Sequence, residues 1–136
     1  MTDILHISNT YGPKGGGISE TLLQFHRYQS NFLNSEVWFP SSKKTIDSLQ
    51  VDSGVTALKL VGPSAFAMPE ILFRELPSHT GKYKILHQHG IWMPISLLSL
   101  KVKQKHGPKF VLQPHGLLMP NSLKISSLKK KFVFKL

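Results

Sequence analysis

The sequence contains no cysteine, which excludes disulfides and thiolate metal sites and fits a reducing, cytoplasmic setting. No apolar run approaches the roughly 20 residues that a membrane-spanning helix needs. Met1-Thr2-Asp3 does not begin a basic segment leading into an apolar stretch, so no secretory signal is expected. Beyond Glu75 there is not a single carboxylate. The paired acids of a glycoside hydrolase therefore have no place beside the histidines of that half, although Glu20 could approach in space. A G-x-S-x-G elbow for a serine nucleophile is also missing.

What is present describes a soluble globular chain with one core. Its 136 residues are 40% hydrophobic, enough for a single domain and little more. Charge is divided unevenly. Residues 1–75 carry six Lys or Arg against seven Asp or Glu, whereas residues 76–136 carry eleven lysines and no acid. An all-lysine half predicts an anionic neighbour, whether nucleic acid, phosphoryl groups, a membrane leaflet or an acidic protein face.

One pattern occurs twice. His89-Gly90-Ile91-Trp92-Met93-Pro94 and His115-Gly116-Leu117-Leu118-Met119-Pro120 share the order His-Gly-apolar-apolar-Met-Pro, 26 residues apart. Each follows an apolar run and precedes a helix-like segment. Glycine permits a tight or left-handed backbone there, and proline suits the first helical position. Both histidines are thus expected at the carboxyl ends of neighbouring parallel strands, facing one rim.

The remaining chain supports that arrangement. Ile4-Leu5-His6-Ile7-Ser8 is a short apolar run, the expected first and central strand. A turn-rich loop carrying Gly12, Gly15, Gly16 and Gly17 follows it. From Ile18 the period becomes helical, with Ile18, Leu22, Phe25 and Phe32 on one stripe. Glycines at a strand-to-helix junction expose backbone N–H groups to an anion or polar ligand. Their spacing matches neither G-x-G-x-x-G nor a P-loop, so a permissive turn is the simpler account of the loop alone.

Further strands are expected over 35–39, 55–61, 82–88 and 109–113. Helices are expected over 68–76, from Ile95 to His106, and from Pro120 onward. Ile125, Leu128, Phe132 and Leu136 form the main stripe of the last helix, and Leu123 and Phe134 lie opposite it. A second apolar face of this kind points to an interface or to missing chain. Alternating strands and helices predict an α/β, Rossmann-like parallel sheet of order 3-2-1-4-5, with its ligand crevice at the switch between strands one and four.

His87 and His89 share a strand face, and with His115 they would make a three-histidine set. Neither a fourth ligand nor a carboxylate to support one follows Glu75, so no metal is expected. The inventory left is imidazoles, backbone N–H groups and Trp92. It suits a polar ring such as a sugar, with the indole against C–H groups and the amides on hydroxyls; the plainer role for Trp92 is core packing.

Taken together, Ile4-Leu5-His6-Ile7-Ser8 leading to Gly15-Gly16-Gly17, His87-Gln88-His89-Gly90-Ile91-Trp92, and Gln113-Pro114-His115-Gly116-Leu117-Leu118 resemble the amino-terminal part of family 4 glycosyltransferases. Leu128-Lys129-Lys130-Lys131-Phe132 resembles the Lys-rich helix that follows Pro-His-Gly in those proteins. The resemblance covers nearly the whole chain and rests on the order and spacing of its motifs together. It implies the amino-terminal, acceptor-binding half of a GT-B architecture, spanning residues 1–136 and incomplete without a carboxyl-terminal nucleotide-sugar domain. Such enzymes transfer sugar with retention and without an essential metal; the nucleotide sugar is a substrate, and no cofactor is implied.

Carried over, His115 would be the catalytic residue that contacts the acceptor or donor sugar. Gly15, Gly16 and Gly17 would approach the donor phosphates. His89, Trp92 and Gly116 would bind substrate around the acceptor. The implied acceptor is a surface polysaccharide or lipid-linked saccharide, as in polysaccharide or lipopolysaccharide biosynthesis, met at the inner face of the cytoplasmic membrane. Peripheral contact there suits the lysines, since anionic lipid attracts each by about 1 kcal/mol.

The family's donor half carries an Arg/Lys pair and two glutamates seven residues apart, whereas the glutamates here are residues 20, 36, 70 and 75. The expectation is a chain that does not turn over alone. The alternative is a small basic nucleic-acid-binding domain, which the lysines favour and the lack of a recognised motif disfavours. A third is an inert remnant of a larger fold.

Overall fold

The computed structural model describes residues 3–11, 16–41, 52–62 and 68–125. They form an α/β sheet with a helix against each face. The strands are β1 (Ile4–Ser8), β2 (Ser35–Ser41), β3 (Val55–Val61), β4 (Met68–Pro69), β5 (Ile85–His89) and β6 (Lys109–Gln113). The helices are α1 (Gly16–Gln29), α2 (Ile95–His106) and the short α3 (Pro120–Lys124). All neighbouring strands run parallel except β3 and β4.

The sheet order is β4-β3-β2-β1-β5-β6. It differs from the five-strand expectation by the two-residue antiparallel strand β4 at the edge, where a helix over 68–76 was expected. Pro69 and Pro77 bracket too few residues to nucleate an α-helix. The chain instead makes a short edge pairing and one 3-10 turn, Glu70–Phe73. Lys101 of α2 closes that turn by donating from Nζ to the carbonyls of Ile71 (3.1 Å), Leu72 (2.9 Å) and Arg74.

Every residue of β1 is buried, because β2 and β5 flank it and helices cover both faces. The strand accordingly reads as a near-continuous apolar run instead of an alternation. One face carries the main core, in which Leu5, Ile7, Trp38, Leu58 and Leu86 pack with Ile95, Leu98 and Val102 of α2. Ile95, Leu98 and Val102, spaced as one helical face, are buried together with Ser99. Gly107, left-handed at φ 67°, ends the helix and returns its N–H to Lys103 O at 2.9 Å.

The other face is different in kind. The residues of α1 that are buried are Ser19, Leu22 and His26. Of the stripe expected there, Phe25 and Phe32 are 39% and 64% exposed, so only Leu22 is fully covered. The reason is polar. His26 reaches Ser35 Oγ at 2.9 Å and Ser53 O at 2.8 Å, and those bonds hold it against the sheet; Phe25 stays partly exposed, and Phe32 lies beyond the end of α1.

β5 starts at Ile85, since residues 78–82 form a 3-10 turn in place of the strand start expected at Lys82. Of the last helix only Pro120–Lys124 is described; Leu128, Phe132, Phe134 and Leu136 lie outside the described residues, as do 42–51. Among the described residues no helix is long and apolar enough to cross a membrane.

Lys101→Met keeps the apolar stem and removes the charge that holds three carbonyls. It is expected to lower stability by about 1–2 kcal/mol. Urea unfolding of the two proteins measures this, and a difference within error would show that water serves those carbonyls equally well.

Candidate functional site

Parallel pairing of β1 with β5 sets Ile4 beside Ile85, His6 beside His87 and Ser8 beside His89. Paired residues on parallel strands share a face, and so do residues two apart on one strand. His6, His87 and His89 therefore stand together on the α1 face near the carboxyl edge. Their rings are close: 4.1 Å between the centroids of His87 and His89, 5.1 Å for His6 and His87, and 5.2 Å for His6 and His89. Phe25 of α1 lies over the group, 6.3 Å from His87 and 6.4 Å from His89.

The imidazoles form a hydrogen-bonded chain. Gln29 Oε1 is 2.7 Å from His6 Nε2, His6 Nδ1 is 3.0 Å from His89 Nε2, and His89 Nδ1 is 3.0 Å from His115 Nε2. An amide oxygen only accepts, so His6 Nε2 carries the proton and Nδ1 is left to accept. His89 then donates from Nε2 to His6, and His115 donates from Nε2 to His89. The outer nitrogen of His115, Nδ1, keeps its lone pair.

Burial disfavours charge throughout the chain. It takes His6 from the ordinary 6.5 down to about 4; the Gln29 bond opposes this, and His87 and His26 add to it. His89 falls lower still, by burial first and then by its neighbours His87, His6 and His115. Burial likewise lowers His87, against a hydrogen bond with Gln113, and lowers the more accessible His115. At neutral pH all four rings are uncharged.

The turns that follow the two strands are fastened tightly. Gln88 donates from Nε2 to Gly90 O (2.9 Å) and Ser96 Oγ (2.7 Å), and Gly90 N–H donates to Gln113 O at 2.8 Å. Gly90 sits at φ 83°, with the Asn9 amide 3.2 Å from where a Cβ would stand, so a side chain has neither the backbone nor the room. Trp92 and His115 also have positive φ, 70° and 49°. For a tryptophan this is a true outlier, and such strain collects at functional sites. The Trp92 indole N–H donates to Leu117 O at 3.2 Å, which ties the two His-Gly turns to each other.

The expected site residues are thus distributed as follows. His89, His115, Trp92 and Gly116 meet at one edge. Gly16 and Gly17 open α1 beyond the end of β1, with free space where a Cβ would stand, so close helix packing is not what requires glycine there. Gly15 lies outside the described residues. His89 is wholly buried with both ring nitrogens engaged, which leaves His115 as the member of the pair that faces outward.

Sequence reasoning passed over His6, Gln29 and Asn9. A lone histidine in the middle of the apolar run of β1 was the available signal for the first. Asn9 Oδ1 is buried without a hydrogen-bond partner among the described residues, beside Gly90 at the same edge. Two hollows among the described residues lie elsewhere, lined by 57–59 with 70–77 and by 81–85 with 106–109. Neither holds a comparable set of functional groups. No protein-family model matches this chain, and no curated protein matches it.

Neutral buried histidines link stability to pH with a definite sign. In the unfolded chain each imidazole takes a proton near 6.5, whereas His6 in the fold resists until about 4. The unfolded state therefore binds more protons across that window, and stability drops as pH falls through it. His6 alone accounts for a loss on the order of 3 kcal/mol. Unfolding midpoints measured from pH 7.5 down to 4 in chelator-containing buffer are expected to fall steeply below 6.5. A flat profile would mean that the cluster is solvated.

Proposed function

We propose that this chain is the acceptor-side, Rossmann-like domain of a retaining sugar-transferring enzyme of the GT-B kind, and that it binds a saccharide or lipid-linked saccharide at the carboxyl edge of its sheet. The observation that carries the proposal is the convergence of three separate segments on that edge. These are Asn9 just after β1, which lies against Gly90, the turn after β5 with Trp92, and the turn after β6 with His115 and Gly116. Ligands of open parallel sheets bind beyond the carboxyl ends, where the connections part to opposite faces. Here α1 covers one face and α2 the other.

In this account His115 is the residue that meets the sugar. Its Nδ1 lone pair accepts a hydroxyl proton, while His89 behind it fixes the ring and its tautomer. His89 is then a positioning residue. Trp92 packs against ring C–H groups, and the orphaned Asn9 Oδ1 accepts from a hydroxyl. The Gly16 and Gly17 backbone approaches the donor phosphates. A nucleotide-sugar domain, supplied by further chain or a partner, stabilises the leaving diphosphate, a charge that residues 76–136 with their lysines do not grip by any recognised motif. The lysines instead favour peripheral attachment to the anionic cytoplasmic leaflet.

Saturation-transfer NMR with a panel of hexose oligosaccharides and lipid-linked saccharide headgroups tests this. Binding by at least one member is expected, with affinity reduced about tenfold or more in His115→Ala, the equivalent of one lost hydrogen bond to the sugar. The chain alone is expected to release no free nucleotide from nucleotide sugars. Silence across the panel, together with DNA or RNA binding that survives physiological salt, would replace this account with the nucleic-acid one.

A further inference from the structure

We infer that His6, His87 and His89 form a binding site for a nitrogen-preferring transition-metal dication of the zinc class. Each of the three offers one ring nitrogen, and these atoms all lie within 4.8 Å of one another. They come from two adjacent central strands whose register is set along five residue pairs, so the backbone beneath the set is rigid. This trio differs from the one that residue spacing brings together, because His6 takes the place of His115.

Three features go beyond mere proximity. First, the nitrogens that point away from the centre are already held. His6 Nε2 faces Gln29 Oε1 at 2.7 Å, and His89 Nδ1 faces His115 Nε2 at 3.0 Å. Metal-bound histidines depend on such outer partners to fix tautomer and ring orientation. Second, His6 Nδ1 and His89 Nε2 aim at each other across 3.0 Å. Ligands bound at about 2.0–2.1 Å in a tetrahedron stand about 3.4 Å apart, so the pair is already near the needed spacing and a metal enters by turning the two rings until their lone pairs converge. Third, burial keeps the rings unprotonated, the form a metal requires.

Donor chemistry narrows the ion. Three imidazoles with no carboxylate suit zinc, cobalt, nickel or copper, and they do not suit magnesium or calcium, which prefer oxygen. His87 is only partly covered, so entry is from its side. Three protein ligands leave a fourth position for water.

Binding rearranges protons without releasing any. His89 Nε2 must give its lone pair to the metal, so its proton resides on Nδ1 and is donated to His115 Nε2. The proton of His115 then moves to Nδ1. Each ring remains neutral with one N–H, and the outward nitrogen of His115 changes from acceptor to donor. Metal occupancy thereby sets which hydrogen bond His115 offers at the sheet edge.

The test is titration of the untagged full chain with Co²⁺, followed by competition with Zn²⁺. A single equivalent with a tetrahedral visible band is expected, displaced by zinc. His87→Asn, at the most accessible ligand, abolishes the band, and Gln29→Leu weakens binding about 10–100-fold. His79→Asn, an exposed histidine outside the cluster, leaves it unchanged. ¹⁵N NMR is expected to show His115 switching tautomer on addition of Zn²⁺. No band at micromolar cobalt, or a band equally lost in His79→Asn, overturns the inference. Circular dichroism of each variant shows whether it is folded. Saccharide binding is read separately with chelator present, so either proposal can fail without the other.

Discussion

The in-register parallel pairing of β1 with β5 is the constraint on which the rest depends. With Ile4 opposite Ile85, the odd residues Leu5 and Ile7 meet Leu86 on the α2 face, and His6 meets His87 on the α1 face. A slip by one residue would exchange the faces, sending imidazoles into the apolar core and leucines against Gln29. Register here is held by hydrophobic burial on one side and by a polar network on the other. Both select the same alignment.

That division of labour explains an otherwise costly feature. Burying imidazoles without partners loses the hydrogen bonds that water supplied. The chain from Gln29 through His6 and His89 to His115 returns those bonds one at a time and reaches from beneath α1 to the edge. The α2 face achieves its stability with aliphatic side chains together with Trp38 and Tyr83, and with no histidine. A fold that can fill one face with hydrocarbon has no packing need for histidines on the other. Their placement at the carboxyl edge, beside the positive-φ Trp92 and His115, points to use and not to architecture.

The same network connects the two proposed ligands. A polar molecule at the edge meets only the outermost ring, whereas a metal would sit two rings inward. Because every ring is neutral and each bond is directional, a change at one end must be passed along as a change of tautomer. Coupling of this sort needs no movement of the backbone. It needs only that both nitrogens of His89 be engaged, as they are.

Much of this was legible along the chain. The apolar runs of β1 and β5, the period of α2 and its stop at Gly107, and the twin His-Gly turns all follow from local preference and from glycine and proline chemistry. Those effects act within a few residues. What they cannot determine is which distant side chains become neighbours. His6 looked like an interruption in a strand until the register set it beside His87. Ile18, Leu22, Phe25 and Phe32 read as one buried stripe until Ser35 and Ser53 drew His26 inward and left Leu22 as the fully covered member. The segment at 68–76 lost its helix to an edge pairing with β3. Outside 68–76, periodicity in the sequence alone determined the kinds of element and the histidine-bearing edge. Only the tertiary structure decided the histidine chain, since hydrogen bonds between residues as far apart as 6 and 89 arise from packing and leave no periodic trace.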